Sequence, residues 1–221
     1  MEISGKLTIV KQREPPSEQQ NANVPSSEGL PSRAIVRLQR IIEELRDVTM
    51  PDSVILDTCI EEVSRDVYGG KHLAEMNWPG DIASIYRITA STEVCEQLWN
   101  AAVSAAEQRE LKARAARESK KEYKPPYKMT RLIGYQSGQT CLYVGKSDEF
   151  TSRMREHFGP ICKATYAMHL SMWAPDCLHH VPVKIEYWPL ASLKLSEPAI
   201  QVLEDTMWEE SSPVFGKQGP K

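Results

Sequence analysis

Between Tyr143 and His157 the chain carries a phenol, a guanidinium and an imidazole in one short stretch: Tyr143-Val144-Gly145-Lys146-Ser147-Asp148-Glu149-Phe150-Thr151-Ser152-Arg153-Met154-Arg155-Glu156-His157. Cys141 to Val144 reads as a short apolar strand, the Gly-Lys-Ser run as its turn, and the residues beyond as a helix. On that helix Arg153 and His157 are four residues apart and so share a face. Arginine suits a doubly liganded phosphate oxygen, histidine exchanges protons near neutrality, and a phenol acts as a base when its pKa is lowered. The set suits phosphodiester hydrolysis and lacks only a metal-binding carboxylate. Lys146 and Arg155 add positive charge for a nucleic-acid backbone.

A carboxylate occurs near the C-terminus. Leu203-Glu204-Asp205-Thr206-Met207-Trp208-Glu209-Glu210 reads as part of a helix that stops before Pro213, with Ser196 as N-cap and Pro198 in its first turn. Ile200, Leu203 and Met207 recur at helical spacing and define a buried face. Glu204 lies beside that face, where a carboxylate is costly without a metal or a hydrogen-bonding partner.

Taken together, the two segments resemble the GIY-YIG nuclease superfamily, and both align without a gap with the nuclease half of the bacterial excinuclease. Tyr143-Val144-Gly145 corresponds to the second half of the family name, Arg153 and His157 to its Arg and His/Tyr positions, Glu204 to its metal-binding glutamate and Pro213 to the proline before the terminal strand. The resemblance spans roughly 128–217. It implies a metal-dependent endonuclease, most naturally on DNA, with Mg²⁺ or Mn²⁺ at Glu204 and Arg153 on the scissile phosphate. Tyr143 or a second tyrosine would take the proton from water, and His157 would hydrogen-bond that phenol or relay its proton. There are two departures. The Gly-Ile-Tyr motif has no clean copy in the strand Met129 to Tyr135, which leaves Tyr127 or Tyr135 as its substitute, and Gly216 stands where the family has asparagine. The departures motivate a second reading, a nuclease fold that binds nucleic acid with little or no turnover.

The elements that must position these residues are read from periodicity and charge. Residues 1–31, rich in Pro, Ser, Gln, Asn and Glu, read as a disordered tail. In 32–108, apolar residues at helical spacing predict an all-helical domain: one helix from Ser32 that breaks before Pro51, a second capped by Asp52 and ended by Gly69-Gly70, a short third over Asp81 to Ile88, and a long fourth from Ser91 or Thr92. A protein partner or self-association is assigned to this domain. Residues 109–127 read as a basic helix closed by Pro125-Pro126, with Lys112, Arg114, Arg117 and Lys121 as candidate phosphate contacts. Residues 128–221 read as the nuclease-like domain, in the order β-β-α-α-β-α: a hairpin of 128–135 and 140–146, the Arg153 helix, a second helix over about 163–173, a strand from Pro182 to Leu190 and the Glu204 helix. The expected fold class is therefore α+β, a small sheet flanked by helices and preceded by an all-α N-terminal domain.

The net charge of −3 divides unevenly. Residues 1–108 hold 10 Lys/Arg against 17 Asp/Glu, and residues 109–221 hold 17 against 13, so the motif-bearing half is the basic one. The five cysteines are unevenly spaced and form no CxxC, which points to free thiols in a reducing cytoplasm. No apolar run suggests a signal peptide or a membrane span. Gly145-Lys146-Ser147 is not a P-loop, since position 140 is Thr, and Cys162, His169, Cys177, His179 and His180 lack the paired spacing of a zinc site.

Overall fold

The computed structural model describes residues 29–65, 73, 78–161 and 164–218. The tail expected over 1–31 lies largely outside them, as do Gly69-Gly70 and Cys162. The chain divides into two compact units, Met1–Arg40 and Ile41–Lys221. In the first, the described residues are helical from Leu30 and solvent-exposed. All that follows on the sheet and its site concerns the second.

Helix α1 (Leu30–Arg46) ends before Pro51, as its periodicity predicts. The next elements correct the expectation of an all-helical segment over 32–108. Val54–Thr58 is a strand, β1, and Ser84–Thr89 is a strand, β2, with the short helix α2 (Ile60–Arg65) between them. The sheet is completed by β3 (Cys141–Ser147) and β4 (Val183–Pro189), in the order β1-β4-β2-β3 with every pairing antiparallel. Strands from both halves of the chain thus share one sheet, so the coarse class, mixed helix and small sheet, holds without a separate helical domain.

The reason for the difference is physical. A half-buried strand advertises itself by alternating apolar and polar residues. β2 is covered on both faces, with Ser84, Ile85, Tyr86 and Ile88 all buried, so it shows no alternation. Its β-branched and aromatic content is the remaining strand signal.

Between β2 and β3 runs helix α3 (Thr92–Glu118), which starts where expected: the Ser91 hydroxyl accepts from the Val94 N–H at 3.3 Å. Val94, Cys95, Leu98 and Ala102 are buried, and no residue of the helix beyond Ala102 is. The helix stops at Glu118, well before Pro125-Pro126, with Lys120 at φ +52° just past its end.

The expected hairpin of 128–135 with 140–146 does not form, because β3 already has β2 as its partner. On its other edge β3 takes the C-terminal segment: the N–H groups of Val214 and Phe215 donate to the carbonyls of Cys141 and Leu142 at 3.0 and 2.9 Å. That segment in turn bonds to residues 131–133, through Ile133 N–H to Val214 O at 3.1 Å and Gly216 N–H to Arg131 O at 3.0 Å. The second helix expected over 163–173 is replaced in the described part by a 3₁₀ turn, Leu170–Met172.

Helix α4 (Phe150–Phe158) follows β3, and helix α5 (Glu197–Ser211) follows β4. Ser196 precedes α5 with extended backbone and Pro198 lies in its first turn, but the Ser196 hydroxyl serves Glu44 instead of the helix. Ile200, Leu203 and Met207 are half-buried, and Ala199 is the fully covered residue of α5. Among the described residues no helix is long and apolar enough to cross a membrane.

Candidate active site

The site is built on the β2–β3 pair. Tyr86 faces Gly145 across the ladder and Ile88 faces Tyr143, so by the period of two both tyrosines project from the same face. Their rings lie nearly parallel, centroids 6.3 Å apart with 14° between planes. Gly145 makes this possible. A Cβ there would stand 2.8 Å from Tyr143 Cε1 and 2.8 Å from Tyr86 Oη, closer than van der Waals contact allows.

Helix α4 supplies the rest. Arg153 and His157 are one turn apart and both buried. His157 Nε2 lies 2.9 Å from Tyr86 Oη, and Nδ1 accepts the Met168 N–H at 3.2 Å. An acceptor nitrogen carries no proton, so in the neutral ring the proton is on Nε2 and points at the Tyr86 oxygen. His157 therefore donates to the phenol. It is placed to stabilise a phenolate and does not serve as that phenol's base.

Arg153 is held from several sides. Nη2 donates to Tyr166 O at 2.8 Å, Nη1 pairs with Glu156, and the guanidinium also interacts with both phenols. Burial pushes both tyrosines above the ordinary phenol value, and the Arg153 charge is the largest influence pulling each back. For Arg153 itself burial favours loss of the charge, but its interactions with Tyr86, Tyr143 and Glu156 together outweigh it and the guanidinium stays protonated. Glu204, half-buried on α5, is close enough for its charge to raise both phenols further. Gln201 Nε2 donates to its Oε2 at 3.1 Å and to Asp205 Oδ1 at 3.0 Å.

Tyr143, Arg153, His157 and Glu204, singled out from sequence, thus converge. The remaining candidates do not join them. Tyr135 donates to Thr92 O at 3.4 Å, and Tyr127 packs against His169 under the Arg109 guanidinium, so neither partners Tyr143. Tyr86 does, a residue that periodicity alone places within a short helix. Lys146 alternates to the face opposite Tyr143 and pairs with Glu197. Arg155 is half-buried and engaged within the fold. Lys112, Arg114, Arg117 and Lys121 are exposed on or just beyond α3, outside the buried cluster. Lys112 and Arg114, two residues apart, do not share a face, and Arg117 pairs with Glu110 at 2.7 Å.

Gly216, where the resembling family has asparagine, has φ +120°, and a Cβ there would lie 3.2 Å from the Tyr143 ring. Backbone and space both favour glycine. Among the described residues no group of three or more His, Cys, Asp or Glu gathers for a metal, so any cation here would rest on at most two such side chains and on water. Comparison with protein-family models, with curated proteins and with solved structures returns no match to this chain.

Proposed function

We propose that this chain is a metal-dependent endonuclease of the GIY-YIG kind that hydrolyses phosphodiester bonds in DNA. The observation that carries the reading is the register of two adjacent strands, Ser84-Ile85-Tyr86 beside Tyr143-Val144-Gly145, with Tyr86 opposite Gly145. The resemblance calls for a Gly-Ile-Tyr strand, and Ser84-Ile85-Tyr86 supplies one with serine for glycine. It lies far upstream of Tyr143 because α3 is inserted between the two strands.

The residues divide the work by position. Arg153, desolvated and held by Tyr166 and Glu156, stabilises negative charge as it builds on the phosphate. Tyr143 keeps 7 % of its surface whereas Tyr86 keeps none, so Tyr143 is the phenol assigned to take the proton from water. Burial holds its pKa above the ordinary phenol value, so its ionisation relies on Arg153 and would be aided by a cation at Glu204. Tyr86 is a positioning residue, tying Arg153 to His157. Glu204 is a hard oxygen donor beside both phenols, and Mg²⁺ takes one or two carboxylates while keeping its waters, so this donor fits a hydrated Mg²⁺ or Mn²⁺. Bound there, the cation would supply a Lewis acid for charge on the phosphate and the leaving oxygen.

The test is incubation of the purified chain with an end-labelled DNA duplex in Mg²⁺, in Mn²⁺ and in chelator, beside the Glu204→Gln variant. Metal-dependent cutting by wild type, lost in the variant with folding intact, is the expected result. Binding without cutting in either metal replaces this reading with that of a nucleic-acid-binding module.

A further inference from the structure

A concavity lies away from the candidate active site, where α3 meets the segment that follows it. It is a cavity of about 440 Å³, within the size range of small-molecule sites. Its walls include three aromatic rings, Tyr123, Tyr127 and Trp173, and two cations, Arg109 and Lys112. The rings are not equivalent. Tyr127 is spent on the fold: Arg109 lies over its ring, 4.9 Å from the centroid, and donates to its carbonyl at 2.9 Å, while His169 meets it edge-on. Tyr123 is half-buried and, within the described residues, makes no hydrogen bond and no ring contact. Trp173 is half-buried; its ring meets Phe215 edge-on at 5.8 Å and its indole N–H is satisfied by Met168 O at 2.6 Å, so what it offers the cavity is π surface.

Aromatic surface beside cations is the combination that holds unstacked bases, ring on ring with the phosphates on Lys and Arg. The neighbouring chemistry agrees, because α3 continues from Lys112 through exposed Arg114 and Arg117, and exposed Lys120 and Lys121 follow just past its end. The cavity is also linked to the site. Met168 donates its N–H to His157 and accepts from Trp173, so the wall of one and the histidine of the other are fixed by the same residue.

We propose that this cavity binds an unpaired nucleobase of a single-stranded segment of the substrate, stacked on Tyr123 and Trp173 with its phosphate at Lys112. The nuclease then acts where a strand is locally unpaired, at a flap, gap or branch. This rests on the nucleic-acid reading above, and the test separates the two.

Fluorescence anisotropy of a labelled oligo-dT, in chelator and over a salt series, compares wild type, Tyr123→Ala, Tyr123→Phe and Lys112→Gln, and circular dichroism checks each fold. A stacked base contributes roughly a five- to hundredfold change in affinity. Tyr123→Ala is therefore expected to bind at least about fivefold more weakly, Tyr123→Phe like wild type, and Lys112→Gln with a log-log salt slope reduced by about 0.7. In a parallel assay Tyr123→Ala loses the wild-type preference for flapped over blunt duplex substrate. Oligo-dT binding equal in wild type and Tyr123→Ala overturns the base site even if duplex is cut, and so does capture of a proline-rich peptide with no oligo-dT binding. Tyr123-dependent oligo-dT binding without any cleavage upholds the base site and removes the nuclease.

Discussion

The buried cluster on β2, β3 and α4 and the exposed basic stretch of α3 both carry cations, yet they place them under opposite conditions. Arg153 is out of water, fixed by a carbonyl, a carboxylate and two phenols. Arg114 and Lys121 stand in solvent, where a charge is screened and its side chain mobile. A desolvated, pre-oriented cation is worth most against charge that appears only in a transition state. A solvated one contributes counterion release and little geometry. Substitutions in the first region should therefore change turnover, and those in the second should change affinity and salt dependence.

The largest effects belong to the cluster. Glu204→Gln keeps the shape and removes the charge, and should abolish metal-dependent cleavage while leaving DNA binding by gel shift nearly intact. Arg153→Lys keeps a charge but loses the planar fork, and single-turnover rates should fall about 10²-fold or more with little change in affinity. Next comes Gly145→Ala. Its methyl would enter both tyrosines, and overpacking of this kind typically costs ~1–3 kcal/mol, so thermal melting should drop clearly. Gly80→Ala, with nothing within 4 Å of the new carbon, should melt like wild type.

A smaller effect is expected on the exposed side. Arg114→Gln with Arg117→Gln should weaken binding to all sequences alike and lower the log-log salt slope by about one unit per lost contact. The Arg117 share should be reduced, because Glu110 already pairs with it. An unchanged slope would mark this stretch as a solvated helix face. Smallest is a pH effect on stability. Burial raises Cys95 from 9.0 to about 11 and Cys141 to about 12. Above pH 9 the unfolded chain ionises these thiols first, so their contribution to stability is complete below pH 9 and is lost as pH rises through 11 and 12. Denaturant midpoints should decline over that window, and Cys95→Ala should flatten the decline.

How much of this was legible depended on whether a residue's environment was local. Arg153 and His157 need only one turn of helix to share a face, and Glu204 needs only a helix that stops before Pro213, so local spacing read against the resembling family was enough to single them out. Tyr86 needs a strand pairing across the whole length of α3, and local periodicity does not announce that pairing. Its strand is covered on both faces, which removed the alternation that would have separated it from a helix. The same long-range pairing explains the absent hairpin: residues 131–133 look like the natural partner of β3, but β2 and the C-terminal segment take its two edges. The signal that could have found Tyr86 was Ser84-Ile85-Tyr86 itself, once serine is admitted for glycine.

The most direct test of the account is single-turnover cleavage of a labelled duplex in Mn²⁺ by wild type, Tyr86→Phe, Tyr143→Phe and Tyr135→Phe, each shown to be folded at the assay temperature. The account predicts that Tyr86→Phe and Tyr143→Phe both lose about 10²-fold or more, and that Tyr135→Phe cuts like wild type. Wild-type rates in Tyr86→Phe, or a deep loss in Tyr135→Phe, would contradict the assignment of the β2–β3 pair as the active site.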